Sequence, residues 1–270
     1  MPHTSTTSRG KLLRISSQDK SPEQTNSNFS VILNNASFVQ SVRGIIPKTI
    51  SFKHVFPNIF GGNSTFSFVW NGTPSSVSIP EAWYDANSLA SILTSRLLID
   101  PIVMGAVSVI TFTDPPLNPV YNQKFKFVIS GGSLTLQTVA SGNPMGDVLG
   151  IGNDTISSSD YVPDYLPDLG GISTVYLCSS EMAGNNAAAS SNGGEQVQII
   201  TEIPIDVPFG SQVYYRAFND DMETIVYPSS RSLTKVSIQL CTRTGAILDL
   251  KQHTLTALFK VLGNEYFAAS

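Results

Sequence analysis

The chain has 270 residues, a formal net charge of −4 and only 13% charged side chains, well under the roughly 25% of average soluble domains. That length suffices for one large β domain or two moderate ones. No run of Lys or Arg could neutralise a series of phosphates, so direct nucleic-acid binding is not expected, and no segment reaches the apolar length needed to cross a membrane.

Residues 1–11 are rich in Ser and Thr, lack the apolar stretch of a secretory signal and read as a flexible arm. Leu12 to Ile15 suggests a first strand. After a polar loop around Pro22, Phe29 to Leu33 alternates, with Phe29, Val31 and Leu33 on one side. Val42 to Ile46 and Lys48 to Phe56 form a long extended segment interrupted at Pro47, which lacks a backbone donor.

The pattern then changes. Phe66 to Trp70 and Ser76 to Ile79 read as a hairpin with Asn71-Gly72 supplying part of the turn. Asp85 or Asn87 can cap a helix on which Leu89, Ile92, Leu93 and Leu97 recur at helical spacing, and this helix is expected to pack on a sheet. Strands follow at Ala106 to Phe112, Lys124 to Ile129 and Ser133 to Val139. Asn143 to Gly150 suggests a helical turn with Pro144 at its first position, and the Pro- and Ser-rich Gly152 to Gly170 reads as a linker.

From Ile172 onward the text is one short alternating segment after another. Strands are expected at Ile172 to Cys178, Val197 to Ile203, Gln212 to Phe218, Glu223 to Tyr227, Leu233 to Thr242 and Thr254 to Leu262. In the fifth, Val236, Ile238 and Leu240 face one way and Lys235, Ser237 and Gln239 the other. So many one-sided strands are buried most economically between two sheets. The expected fold is mainly β: a single jelly-roll β-sandwich over 12–60 and 168–270, interrupted by an α+β insertion domain over 61–167.

Chemistry is sparse. Histidines occur only at His3, His54 and His253, none near a Gly-x-Ser-x-Gly elbow, and His54 reads as an ordinary sheet residue. Gly61-Gly62, Gly131-Gly132 and Gly193-Gly194 lack the following Lys-Ser/Thr of a phosphate cradle and read as turns. Asp220, Asp221 and Glu223 could hold a hard cation such as calcium, yet without regular ligand spacing they read first as a solvated acidic loop. Cys178 and Cys241 lie in strands, lack metal-ligand spacing and read as buried thiols. Trp70, Trp83, Tyr214 and Tyr215 could form a sugar platform, although core packing is the commoner use. No catalytic, cofactor or metal site is expected, and the chain is not read as an enzyme.

The order of several segments resembles the penton (vertex) proteins of virophages and polinton-like viruses. They are Arg14-Ile-Ser-Ser with Phe29-Ser-Val-Ile-Leu33, Ile79-Pro-Glu-Ala-Trp-Tyr84 leading to Asn87-Ser-Leu-Ala-Ser-Ile-Leu93, and Met145-Gly-Asp-Val-Leu-Gly150. Leu169 to Ser179, Ile199-Ile-Thr-Glu-Ile-Pro204 and Thr242 to Leu250 follow. The resemblance implies a structural capsid protein forming a homopentamer at the fivefold vertices of an icosahedral DNA virus. Its partners would be itself, the neighbouring major capsid protein and a host receptor reached through the insertion, and its location the virion after synthesis in the host cytosol. The alternatives are a lectin-like carbohydrate- or receptor-binding sandwich and a non-penton minor capsid protein.

Overall fold

The computed structural model describes residues 10–33, 41–113, 123–183, 187–189, 196–219, 223–243 and 245–263. The chain begins with β1 (Lys11–Ser16), β2 (Asn28–Ile32) and β3 (Val42–Lys53). A middle stretch follows: β4 (Thr65–Trp70), β5 (Thr73–Ser78), α1 (Ala86–Ile99), β6 (Val107–Thr113), β7 (Gln123–Ile129), β8 (Leu134–Leu136), α2 (Gly146–Leu149) and β9 (Thr155–Ser157). The last stretch holds β10 (Thr174–Cys178), β11 (Ala187–Ala189), β12 (Gln196–Pro204), β13 (Gln212–Arg216), β14 (Ile225–Arg231), β15 (Lys235–Cys241) and β16 (Thr256–Gly263). These elements gather into two compact units. A flanking unit joins Met1–Phe56 to Ile172–Ser270, and a middle unit spans Pro57–Gly171. Of the expected arm, residues 1–9 lie outside the described residues, and Lys11 already belongs to β1.

The flanking unit is the mainly β sandwich that the alternation predicts. One sheet has the order β1-β16-β3-β13, with β14 also paired to β3; the other has the order β11-β12-β10-β15-β2. β13 pairs with Thr49–Lys53 of β3 and β14 with its first residues, Val42 to Ile45. Side chains alternate across each strand, so Ile50 and Phe52 of β3, Phe259 of β16, Leu177 of β10, and Ile238 and Leu240 of β15 share one core. All six are fully buried. Burial of each such side chain contributes about 1.5–3 kcal/mol.

The middle unit is α+β. Its sheets are β5-β4-β8-β9 and the pair β6-β7. α1 packs on β6 and starts at Asp85, whose Oδ1 accepts from the Ser88 backbone N–H at 2.7 Å. Asn87, the other candidate cap, lies inside the first turn and its Oδ1 accepts from the Thr111 hydroxyl. Leu89, Leu93 and Leu97 are buried and Ile92 packs against them, while Phe66 stacks on both Phe68 and Phe127. The hairpin turns at Asn71 (φ 48°) and Gly72 (φ 82°), the two left-handed residues that a type I′ turn requires.

Two expectations are corrected here. Gly152 to Gly170 is not a bare linker: β9 pairs with β8, and Tyr161 bridges to Phe127. Thr155-Ile156-Ser157 has no apolar face of its own, since Ile156 points to solvent, so only its backbone pairing makes it a strand. α2 begins at Gly146, leaving Pro144 before it, and ends at Gly150 (φ 77°), where a β-carbon would meet the Tyr165 carbonyl. The base of this unit is tied by buried Asn58. Its Oδ1 accepts from the Tyr84 N–H at 2.8 Å, and its Nδ2 donates to the carbonyls of Tyr84 at 2.7 Å and Leu169 at 3.1 Å.

Candidate functional site

The β1-β16-β3-β13 sheet has the most distinctive chemistry among the described residues. Its strands, counting β14, carry Lys11, Arg14, Arg43, Lys48, Lys53, Arg216, Arg231 and Lys260 and not one Asp or Glu. Half of the Lys and Arg of an acidic chain therefore fall in one sheet. Register places Arg14, Leu258, Thr49 and Arg216 in one row across four strands, about 14 Å from end to end at normal strand spacing. The next row holds Thr256, Ser51 and Tyr214. Since Ile15, Ile50, Ala257 and Val213 point into the core, these rows face outward.

Large apolar groups accompany the cations. Tyr214 is 66% exposed, Phe218, just after β13, 98%, and Val226 of β14 52%. Beneath them the sheet is braced by polar ties. The Tyr215 hydroxyl accepts from Thr201 Oγ1 of β12 at 3.0 Å and donates to the Glu223 carboxylate. Burial, then that carboxylate, push the Tyr215 phenol up to about 12. Tyr227 donates to the Met182 carbonyl at 2.8 Å and is covered by the Arg231 guanidinium, 3.3 Å from its ring centroid; burial pushes this phenol up as well. The sheet is thus tied through Tyr215 to Thr201 of β12 and through Tyr227 to the Met182 carbonyl.

The other sheet differs. Its strands carry Lys235 and the exposed Glu202, whose β10 neighbour is Tyr176. At its side, Glu181 accepts from the Ser237 N–H at 2.9 Å and from the hydroxyls of Ser237 and Ser179. Burial alone would raise this carboxyl; the Ser237 hydrogen bonds outweigh it and hold the group below its ordinary value.

The residues singled out from sequence are scattered. His54 is buried, with Nδ1 3.0 Å from the Val207 carbonyl and its ring edge-on to Phe209. Asp220 and Asp221 lie outside the described residues, and Glu223 is turned onto the Tyr215 hydroxyl and the Phe218 N–H. Among the described residues no group of three His, Cys, Asp or Glu could hold a metal ion, and no helix is long and apolar enough to cross a membrane. The aromatic platform does not form as written: Trp70 is core in the middle unit, while Tyr215 turns toward the sandwich interior and its neighbour Tyr214 faces out. In the middle unit a shallow groove runs between α1 and β6 beside Asn87, Ser91, Thr94 and Thr111. Thr94 Oγ1 there both accepts from the Val109 N–H and donates to its carbonyl. The cation-rich sheet was missed from sequence because its Lys and Arg come from separate strands and form no run.

No family model and no curated protein sequence matches the chain. Among solved structures, the fold is similar to that in the crystal structure of selenomethionine-labelled mavirus penton protein, with a TM-score of 0.51 and 10% identity. The match covers 93% of this chain and 99% of that one. At this identity the likeness is one of fold, that of a jelly-roll β-sandwich.

Proposed function

We propose that this chain is a structural capsid protein that closes into a homopentamer at the fivefold vertices of an icosahedral DNA virus. The observation that carries the reading is the fold likeness to mavirus penton protein over nearly the full length of both chains. A fivefold ring needs a head-to-tail contact in which one side of each subunit meets a different side of the next. The flanking unit has two such unlike sides: a sheet whose outward face presents Arg14, Lys53 and Arg216 from strands without a carboxylate, and a sheet exposing Glu202 and Lys235. In the proposed ring the first face, with Tyr214, Phe218 and Val226, lies against the neighbouring copy. Aromatic and Arg side chains are the groups that commonly anchor such contacts. The major capsid protein is the second partner, and the virion is the location.

Sedimentation velocity and negative-stain imaging of the purified full chain test this reading. The expected result is a five-subunit particle, shifted toward monomer about tenfold or more by combining Arg14→Glu with Arg216→Glu, with the circular dichroism spectrum unchanged. A chain that stays monomeric at high concentration and is missing from the vertices of assembled particles overturns it.

A further inference from the structure

Cys178 and Cys241 are separated by 62 residues of sequence, yet β10 and β15 lie side by side with Tyr176 opposite Cys241 and Cys178 opposite Gln239. That register puts the two cysteines on a diagonal between adjacent strands. Alternation turns Cys178 to the side away from the core residue Leu177, and Cys241 to the side away from the core residue Leu240, so both thiols lie on the same side of the sheet. The two Sγ atoms approach to 2.7 Å, and both lie within sulfur hydrogen-bond distance of the Tyr176 carbonyl. Both thiols are free and buried. Ile247 bridges to Cys241, and Leu248 donates its N–H to the Leu240 carbonyl, so the segment after β15 folds back beside the pair.

We propose that Cys178 and Cys241 form an oxidation-dependent disulfide that locks β10 to β15. The geometry asks little movement, because a disulfide has its sulfurs about 2.05 Å apart and joins residues on neighbouring backbone. The chemistry is also arranged. The two sulfurs share a hydrogen bond that either can donate, so once one thiol ionises the other steadies the thiolate by donating to it. With hydrogen peroxide as oxidant, that thiolate attacks one peroxide oxygen, becoming a sulfenic acid and releasing hydroxide. The second cysteine then attacks that sulfur as its own proton leaves, the S–S bond forms and the sulfenic hydroxyl departs as water. In sum, two thiols and one peroxide give one disulfide and two waters. The segment that follows β15 must open for peroxide to enter, which makes the step slow in the folded protein and selective for oxidising surroundings. The bond would close a long loop within the flanking unit and so restrict its unfolded state. None of this depends on the pentamer.

The test uses the full-length chain with and without excess peroxide, denatured in N-ethylmaleimide and weighed intact. With only two cysteines in the sequence, the expected oxidised product is a monomer lighter by two hydrogens that takes up no maleimide, and dithiothreitol restores labelling at both sites. Its melting temperature should exceed that of the reduced protein by roughly 5–10 °C. In Cys178→Ser the expected outcome is that peroxide produces neither the two-hydrogen loss nor the rise in melting temperature. Labelling of both cysteines after oxidation, disulfide-linked dimers, or sulfonic acids in place of the bond overturn the proposal, and these readouts need only the wild-type chain.

Discussion

The two units are built on opposite plans. In the flanking unit the strands that pair are far apart in sequence: β1 pairs with β16, residue 11 facing residue 261, and β16 sits between β1 and β3. In the middle unit β4 pairs with β5 and β6 with β7, each with a neighbour in sequence. Charge follows the same division. The middle unit has nine Asp and Glu against Arg96, Lys124 and Lys126, while the flanking unit has thirteen Lys and Arg against eleven Asp and Glu. The contrast teaches that the flanking sandwich closes only when both ends of the chain are present, whereas the middle unit can be assembled from local pieces.

The sharpest way to break that contrast is to damage one core and watch the other. Phe259→Ala empties a fully buried site on the central strand β16 and is expected to cost about 3–5 kcal/mol. Calorimetry should show the flanking unit's transition falling while the middle unit's stays in place. A single transition moving as a whole would show that the two units do not unfold independently.

A smaller effect is expected in the other unit. Asn58→Ala removes one acceptor and two donors from the Tyr84 and Leu169 backbone, leaving buried groups without partners at about 1–3 kcal/mol. Hydrogen exchange should accelerate across the middle unit, with protection of β3 and β16 unchanged.

The smallest effect is with pH. The Tyr215 phenol is raised from 10.0 to about 12 in the folded protein, so the folded state holds its proton more tightly than the unfolded chain does. The stability this contributes is complete below about pH 10 and is lost as pH rises from there through about 12. Urea titrations of the flanking unit should therefore weaken over that window, and Tyr215→Phe should flatten the slope. An unchanged slope would show that the Tyr215 hydroxyl does not hold β13 against β12.

Much of the fold was legible in the text. Val236, Ile238 and Leu240 alternate as written and enter the core, Asn71-Gly72 makes its turn, and Asp85 starts a helix that buries Leu89, Leu93 and Leu97. Periodicity, turns and caps are local properties, so neighbouring residues suffice to announce them. β9 and β11 were not legible. Thr155-Ile156-Ser157 and Ala187-Ala188-Ala189 carry no alternating pattern, and they are strands through backbone pairing with β8 and β12.

The sequence by itself determined that this protein is mainly β, that a helix-bearing block divides it and that its cysteines are buried. Only the tertiary structure decided that β16 lies between β1 and β3, that cations from five separate strands share a sheet without a carboxylate, and that Cys178 meets Cys241. The reason is physical. A strand's faces are set by its own alternation, but its neighbours are chosen by the total apolar surface that closing the whole sandwich buries, and no short stretch of chain contains that sum.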